Sequence, residues 1–185
     1  DQGYATGQFG KSHVGDRNEF LPTVHGFDEF YGFLYHLNMM EMPEQPEFPK
    51  NPDFAGRPRN VIHSFASDKN DPTVDPRWGV VGKQTITDEG PLGAERQKTF
   101  DDEVLARSLD WMKDKVDSQK PFFLWFNPSR MHQEIHVSEE WAGKSGHSAY
   151  ADAVMHLDSL VGKLLDALDD QQISENTIVV FTSDN

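Results

Sequence analysis

The 185-residue sequence contains no cysteine. This absence excludes disulfide bonds, thiolate zinc sites and a cysteine nucleophile within these residues, and it leaves an oxidising compartment possible. Long apolar runs are also missing, because no run approaches the ~20 residues that a membrane-spanning helix needs. The first residues lack the basic and apolar regions of a signal peptide, which says little about compartment since Asp1 need not be the natural start. We therefore expect a soluble domain with no membrane span.

Positive charge is scarce: 17 Lys and Arg residues stand against 31 Asp and Glu residues, a formal net charge of -14. Such a surface repels phosphate backbones, so we expect no nucleic-acid partner. The simplest interpretation of this acidity is solubility. A role in cation binding requires carboxylates that cluster in space, which composition does not reveal.

Regular structure is predicted from Thr99 onward. The pattern indicates a helix over 99–116, capped by Thr99 or Asp101, and a second helix over 148–168. Each helix precedes an apolar run that is typical of a strand. "PFFLWF" fits a strand covered on both faces, and "NTIVVFTSD" fits a buried last strand. Alternating helices and apolar strands predict an α/β fold, a mostly parallel sheet flanked by helices, which is incomplete in this chain.

A proline-rich segment interrupts the sequence at about 38–92. Its prolines, which disfavour long helices and interior strands, are residues 43, 46, 49, 52, 58, 72, 76 and 91. We expect a loop-like insertion with short strands at 60–65 and 83–87.

Two polar segments follow predicted strands, and the carboxyl ends of parallel strands are where sites form. Asn127 to His132 follows the first strand, and Ser183 to Asn185 follows the second. Asp184 and Asn185 offer hard oxygen ligands that suit calcium or magnesium. The alternative is an ordinary turn, for which Asp-Asn is also suitable.

Histidines supply the remaining candidates. In "GKSHVGD", Lys11 and His13 point the same way if the chain is extended, which suits an anionic group, although a solvated loop is the simpler interpretation. His132 and His136 have a spacing that could bind zinc on a helix, but His132 alone, after a strand, is the better candidate. The other histidines have no convergent partners in the sequence, and of these His156 is expected to be structural: His25, His36, His63, His147 and His156.

Four blocks together resemble the sulfatase family of the alkaline-phosphatase-like superfamily. In family order they are "GYATGQFGKSHVGD", "GFDEFYGF", "KPFFLWFNPSRMH" and the segment from Tyr150 to Asn185. The resemblance implies that the chain, 1–185, is part of a sulfatase catalytic domain that cleaves sulfate monoesters. It also implies a sulfated small molecule or sulfated carbohydrate as substrate, and suggests a periplasmic or secreted protein.

The resemblance implies a role for individual residues. Lys11 matches the lysine that neutralises the sulfate, His13 the histidine that contacts the nucleophile, and His132 the histidine that helps to protonate the leaving oxygen. Asp184 and Asn185 match two ligands of a divalent cation, usually Ca2+. These roles suit a sulfate ester, which becomes negative at the sulfuryl and leaving oxygens.

The sequence also departs from the family pattern. Ser12 stands where relatives often have Trp, and Gln133 where a nearby Pro is frequent. The formylglycine motif and an upstream pair of metal-binding aspartates are expected before Asp1, so the isolated chain is expected to be an inactive internal fragment. The alternatives are a phosphodiesterase or phosphonate monoester hydrolase of the same superfamily, and a non-catalytic acidic binding module.

Overall fold

The structure is a computed structural model that describes residues 2–37, 42–44, 46, 48, 50–51, 54, 56–132 and 135–183. Five strands form one sheet: β1 Ala5–Lys11, β2 Glu29–Phe33, β3 Ile62–Asp75, β4 Gly79–Asp88 and β5 Phe122–Asn127. Three α-helices accompany it: α1 Ala94–Gln97, α2 Phe100–Asp117 and α3 Ala149–Asp170. Short 3-10 helices lie at Asn18–Phe20, Pro22–Val24, Met42–Glu44 and Ser174–Asn176.

The sheet has the strand order β4-β3-β2-β1-β5. β1 pairs in parallel with both β2 and β5, whereas β3 is antiparallel to β2 and β4. The predicted α/β class, with parallel strands and flanking helices, is confirmed, and the sheet is mixed. Because β5, β1 and β2 run the same way, their carboxyl ends meet at one edge.

The main core lies between the parallel strands and α2. Alternate residues of each strand point to this face, and the buried apolar side chains there include Phe9 of β1, Tyr31 and Phe33 of β2, and Phe100 and Trp111 of α2. The opposite face of the sheet carries a smaller buried cluster: Leu21, Phe30, Leu34 and Ile62. Burial on both faces fixes the register of β2 and so the positions of the residues that follow it.

Two glycines let the parallel strands approach closely beside the carboxyl edge. A Cβ atom at Gly32 would lie 1.7 Å from the Gly10 carbonyl oxygen, and a Cβ at Gly10 would lie 1.8 Å from the Asn127 carbonyl oxygen. Gly10 also has a φ of 108°, which disfavours other residues. Any side chain at either position would push rigid neighbouring backbone away.

We therefore expect Gly32→Ala to lower the free energy of unfolding by at least about 1–3 kcal/mol, the usual cost of overpacking. Urea-induced unfolding measures this change. The matched control is Gly162→Ala within α3, where a Cβ has nothing within 4 Å. That variant should gain about 0.5–1 kcal/mol, because alanine favours a helix more than glycine does. Equal stabilities for the two variants would contradict this packing account.

The hairpin formed by β3 and β4 is longer than the sequence predicts. The strands expected at 60–65 and 83–87 extend over Ile62–Asp75 and Gly79–Asp88, so the loop-like part of 38–92 is shorter than expected. Pro72 lies in the outer part of β3, where the pairing with β4 has register shifts between Ala66 and Val74. A proline is compatible with this position because the irregular ladder does not need its missing N–H group.

β5 forms where the apolar run predicts a strand, but the prediction that both of its faces are covered is wrong. Phe123 and Trp125 are 51% and 48% exposed, and both rings lie near Phe27. Among the described residues, β5 pairs only with β1. An apolar run therefore indicates a strand here without indicating that each face has a packing partner.

The strand predicted over "NTIVVFTSD" does not form in the described part of this segment. Residues 177–183 have no strand conformation, and Ile178, Val180 and Phe181 are 93%, 79% and 77% exposed. A strand requires a neighbouring backbone for its hydrogen bonds, and none of the five described strands pairs with this segment. Asp184 and Asn185 lie outside the described residues.

Both long helices form near their predicted bounds, and each buries only part of its apolar surface. In α2, Trp111 is buried, whereas Leu109 and Val116 are half-buried. In α3, Val154 and Leu165 are exposed, because the helix packs against α2 along a narrow face. Within the described ranges, no helix combines the length and the apolar character needed to cross a bilayer.

Candidate functional site

The edge formed by the carboxyl ends of the parallel strands carries the candidate site. Lys11 ends β1 and is followed by His13, Tyr35 and His36 follow β2, and the loop to His132 follows β5. The amide nitrogen Nδ2 of Asn127 donates to the Lys11 carbonyl oxygen at 3.1 Å. The Ser12 N–H donates to the Phe33 carbonyl oxygen at 2.8 Å. These two bonds connect β5 to β1 and the residue after β1 to β2, so the three strand ends are held together at this edge.

Three imidazoles form a row across this edge. The ring centroids of His13 and His36 are 5.8 Å apart, and those of His36 and His132 are 5.6 Å apart with the rings nearly parallel, at 8°. The structure therefore brings Lys11, His13 and His132 to one edge. It also adds His36, which sequence reasoning placed without partners. Reading "EFYGF" as a third parallel strand would have put His36 at the same edge.

The charge state of His13 follows from its neighbours. Partial desolvation, the Lys11 cation and then His36 lower the pKa of the His13 imidazole below its usual value of 6.5. A lowered pKa increases the neutral fraction of His13 at neutral pH. His13 is therefore suited to accept a proton there.

A buried ion pair anchors the loop that carries His132. Asp101 of α2 accepts hydrogen bonds from the Ser129 N–H at 2.7 Å and from Arg130 Nη1 at 2.7 Å. Arg130 is almost fully buried and also donates through Nη2 to the carbonyl oxygens of Lys98 and His136, both at 3.0 Å. Of the two predicted caps, Thr99 occupies the N-cap position of α2, although its side chain makes no capping hydrogen bond, whereas the Asp101 carboxylate binds this loop.

A second polar group fixes the segment after His13. The Tyr35 hydroxyl donates to the Asp16 carboxylate, and Arg59 Nη1 donates to the Asp16 carbonyl oxygen at 2.8 Å. Burial and the Asp16 carboxylate raise the pKa of Tyr35, so its hydroxyl stays protonated and keeps donating. The Arg59 guanidinium in turn lies over the Trp78 ring at 5.1 Å. Trp78, in the turn between β3 and β4, is thereby linked through Arg59 and Asp16 to Tyr35. The Tyr35 ring centroid is 6.3 Å from that of His13.

A comparison with known protein families gives a match across the whole chain. The sequence pattern of the family described as Sulfatase matches residues 1–185.

The chain belongs to the sulfatase family.

Among curated sulfatases, the chain is 32% identical to N-acetylgalactosamine-6-sulfatase of Canis lupus familiaris, covering 100% of this chain and 31% of the relative. It is 28% identical to human Arylsulfatase A, covering 100% of this chain and 33% of the relative. The chain thus spans about a third of the length of these relatives. The family resemblance seen in the four sequence blocks is confirmed.

Solved structures show the same fold. The PsFucS1 sulfatase from Pseudoalteromonas sp. superposes with a TM-score of 0.69 at 23% identity, covering 92% of this chain and 33% of that one. Ps i-CgsB in complex with k-i-k-neocarrahexaose superposes with a TM-score of 0.58 at 21% identity, covering 92% of this chain and 35% of that one. At these identities the likeness establishes the fold of this sulfatase chain.

The structure also tests the other histidine predictions for this sulfatase chain. Within the described ranges, no group of three or more His, Asp or Glu side chains could hold a metal ion, so the paired His132 and His136 zinc alternative gains no support. His156 is fully buried, its Nε2 lies 3.1 Å from an Asp102 carboxylate oxygen, and its ring stacks on Trp141 at 4.9 Å. This packing agrees with the expected structural role of His156.

The divalent cation of the family does not fit the described residues alone. Its predicted ligands in this chain, Asp184 and Asn185, lie outside them, and the described side chains contain no metal-binding group. The chemistry derived below therefore uses only the cation and imidazoles at the carboxyl edge.

Proposed function

We propose that the protein hydrolyses sulfate esters and that Lys11, His13 and His132 contact the sulfate group. The observation that carries this proposal is the convergence of these side chains from two different strand ends onto one edge of the sheet. Membership of the sulfatase family supports it. The proposal concerns the whole protein, of which this chain corresponds to about a third of the relatives' length.

Each side chain suits a different part of the reaction. Lys11 offers a permanent positive charge that stabilises the negative sulfuryl oxygens as the ester bond breaks. His13, with its lowered pKa, offers a neutral nitrogen that accepts a proton from a nearby hydroxyl. His132, on the facing loop, donates a proton to the leaving oxygen, so that the alcohol departs without a negative charge.

Family membership also supports a proposal for the groups that the described residues do not supply. Asp184 and Asn185 are proposed as two oxygen ligands of a divalent cation, with Ca2+ the expected ion. A formylglycine nucleophile is proposed to lie outside these residues, which contain no cysteine.

The proposed substrates are sulfated small molecules or sulfated carbohydrates. One relative is named for the 6-sulfate of N-acetylgalactosamine, and one structural neighbour was solved with a neocarrahexaose. The acidic surface argues against nucleic acid.

The function is tested with the complete gene product, assayed against an aryl sulfate, a sulfated oligosaccharide, a phosphate diester and a phosphonate monoester. We expect a higher kcat/KM for a sulfate ester than for either phosphorus ester. A preference for the phosphate diester or the phosphonate would assign the protein to the phosphoesterase branch of the superfamily. Binding of a sulfated saccharide without turnover would indicate a binding module.

The 185-residue chain alone should not turn over aryl sulfates, even with added calcium. No covalent sulfated intermediate can form without the nucleophile, which we place outside these residues. The assay compares the chain with the complete gene product at equal concentration. Turnover by the chain that disappears in His132→Ala would show that the nucleophile lies within these residues and would overturn its placement.

A further inference from the structure

His36 occupies the middle of the imidazole row at the carboxyl edge. Its ring neighbours both His13 and His132, at centroid distances of 5.8 Å and 5.6 Å, and it comes from a strand end of its own, that of β2. We propose that His36 is a third histidine of the sulfate site, donating a hydrogen bond to an oxygen of the bound sulfate group. This proposal rests on the proposed function for the identity of the anion.

The position of the ring makes this contact geometrically direct. Hydrogen bonds from imidazole nitrogens to oxygen span about 2.7–3.2 Å. Because the His36 ring lies 5.8 Å from that of His13 and 5.6 Å from that of His132, an anion held by either of these rings can also reach His36. A tetrahedral anion with several oxygens can accept from all three rings, whereas a planar carboxylate has only two oxygens to share.

The hydrogen bonding of His36 supplies a separate observation. Its Nδ1 atom is buried and has no hydrogen-bond partner among the described residues, while the side chain as a whole is only half-buried. An enclosed nitrogen is not open to an anion, so the sulfate contact belongs to the other ring nitrogen, Nε2.

The competing interpretation is that His36 is a spacer whose flat ring supports His132 by stacking. Two substitutions separate the interpretations. His36→Phe keeps an aromatic ring for stacking and removes both nitrogens, whereas His36→Gln removes the ring and keeps an N–H donor. If His36 contacts the sulfate, His36→Gln should retain more sulfate affinity than His36→Phe. If His36 is a spacer, His36→Phe should retain more.

The first measurement is inhibition of the complete gene product by inorganic sulfate. We expect His36→Phe to raise the inhibition constant about tenfold, the loss expected for one charge-assisted hydrogen bond, and His36→Gln to raise it less. The control is His25→Phe, because His25 is exposed, precedes the amino end of β2, and bonds to the Glu19 carbonyl oxygen. If His36→Phe leaves the inhibition constant unchanged and His36→Gln raises it, the sulfate contact is overturned and the spacer role is established.

The second measurement distinguishes failure of this inference from failure of the proposed function. NMR of isotope-labelled histidines follows the complete gene product as inorganic sulfate replaces chloride at constant ionic strength. We expect the imidazole resonances of His13, His36 and His132 to shift with one common sulfate dependence, while those of His25 stay unchanged. Shifts at His13 and His132 without a shift at His36 would overturn this inference alone. No shift at any of the three would overturn the anion site itself.

Discussion

His132→Ala in the complete gene product should lower kcat/KM for an unactivated sulfate ester by about 10²–10⁴-fold. This range is the usual contribution of a positioned general acid, which the substitution removes. The loss should shrink for an aryl sulfate with an acidic phenol, because a good leaving group departs without protonation. Steady-state kinetics with a series of leaving groups measures both effects.

His25→Ala is the control for this experiment, since His25 lies at the opposite end of β2 and should leave kcat/KM unchanged. An equal loss for good and poor leaving groups would contradict the role of His132 as an acid, although not its presence in the site. A loss of similar size in His136→Ala would instead favour the paired-histidine zinc alternative.

Arg130→Met should lower the free energy of unfolding of the 185-residue chain by about 3–5 kcal/mol, the usual cost of removing one partner from a buried ion pair. The side chains of Asp101 and Arg130 are 0% and 5% exposed, so the remaining carboxylate would be buried without its cationic partner. The double variant Asp101→Asn with Arg130→Met should recover part of the loss, because no buried charge then remains. Denaturant-induced unfolding measures all three proteins.

The matched control is Lys113→Met, which breaks an exposed ion pair with Asp117 on the same helix. Exposed pairs contribute little to stability, so this variant should unfold like the parent chain. A similar small change for Arg130→Met would show that the buried pair does not hold the loop after β5. The position of His132 would then need another explanation.

Strand direction placed His132 at the carboxyl edge of the sheet, because parallel strands end together there. Lys11 and His13 were singled out by their spacing and by the family resemblance, since β1 was not recognised as a strand. His36 was missed because β2 is only five residues long and was not recognised as a strand. The contacts that hold the loop before His132 were also not predicted, because Asp101 and Arg130 are distant in the sequence and only the fold brings them into contact.

The sequence predicted the fold class, but it predicted less well which strand faces are covered. Because the β5 sequence is apolar, both of its faces were predicted to be covered, yet Phe123 and Trp125 are about half exposed. The segment 177–183 has strong strand propensity, but propensity does not supply the hydrogen-bonding neighbour that a strand requires. Proline content predicted loops where β3 and β4 form. These strands form in spite of Pro72 because register shifts in their pairing accommodate it.

The most direct test of the central claim is a double-mutant cycle on His13 and His132. If both imidazoles act on the same sulfate group in the complete gene product, their effects on kcat/KM are coupled. We expect the double variant His13→Ala with His132→Ala to lose much less than the product of the two single losses. A double loss equal to that product would show that the two histidines act independently, and it would contradict a shared sulfate site at this edge of the sheet.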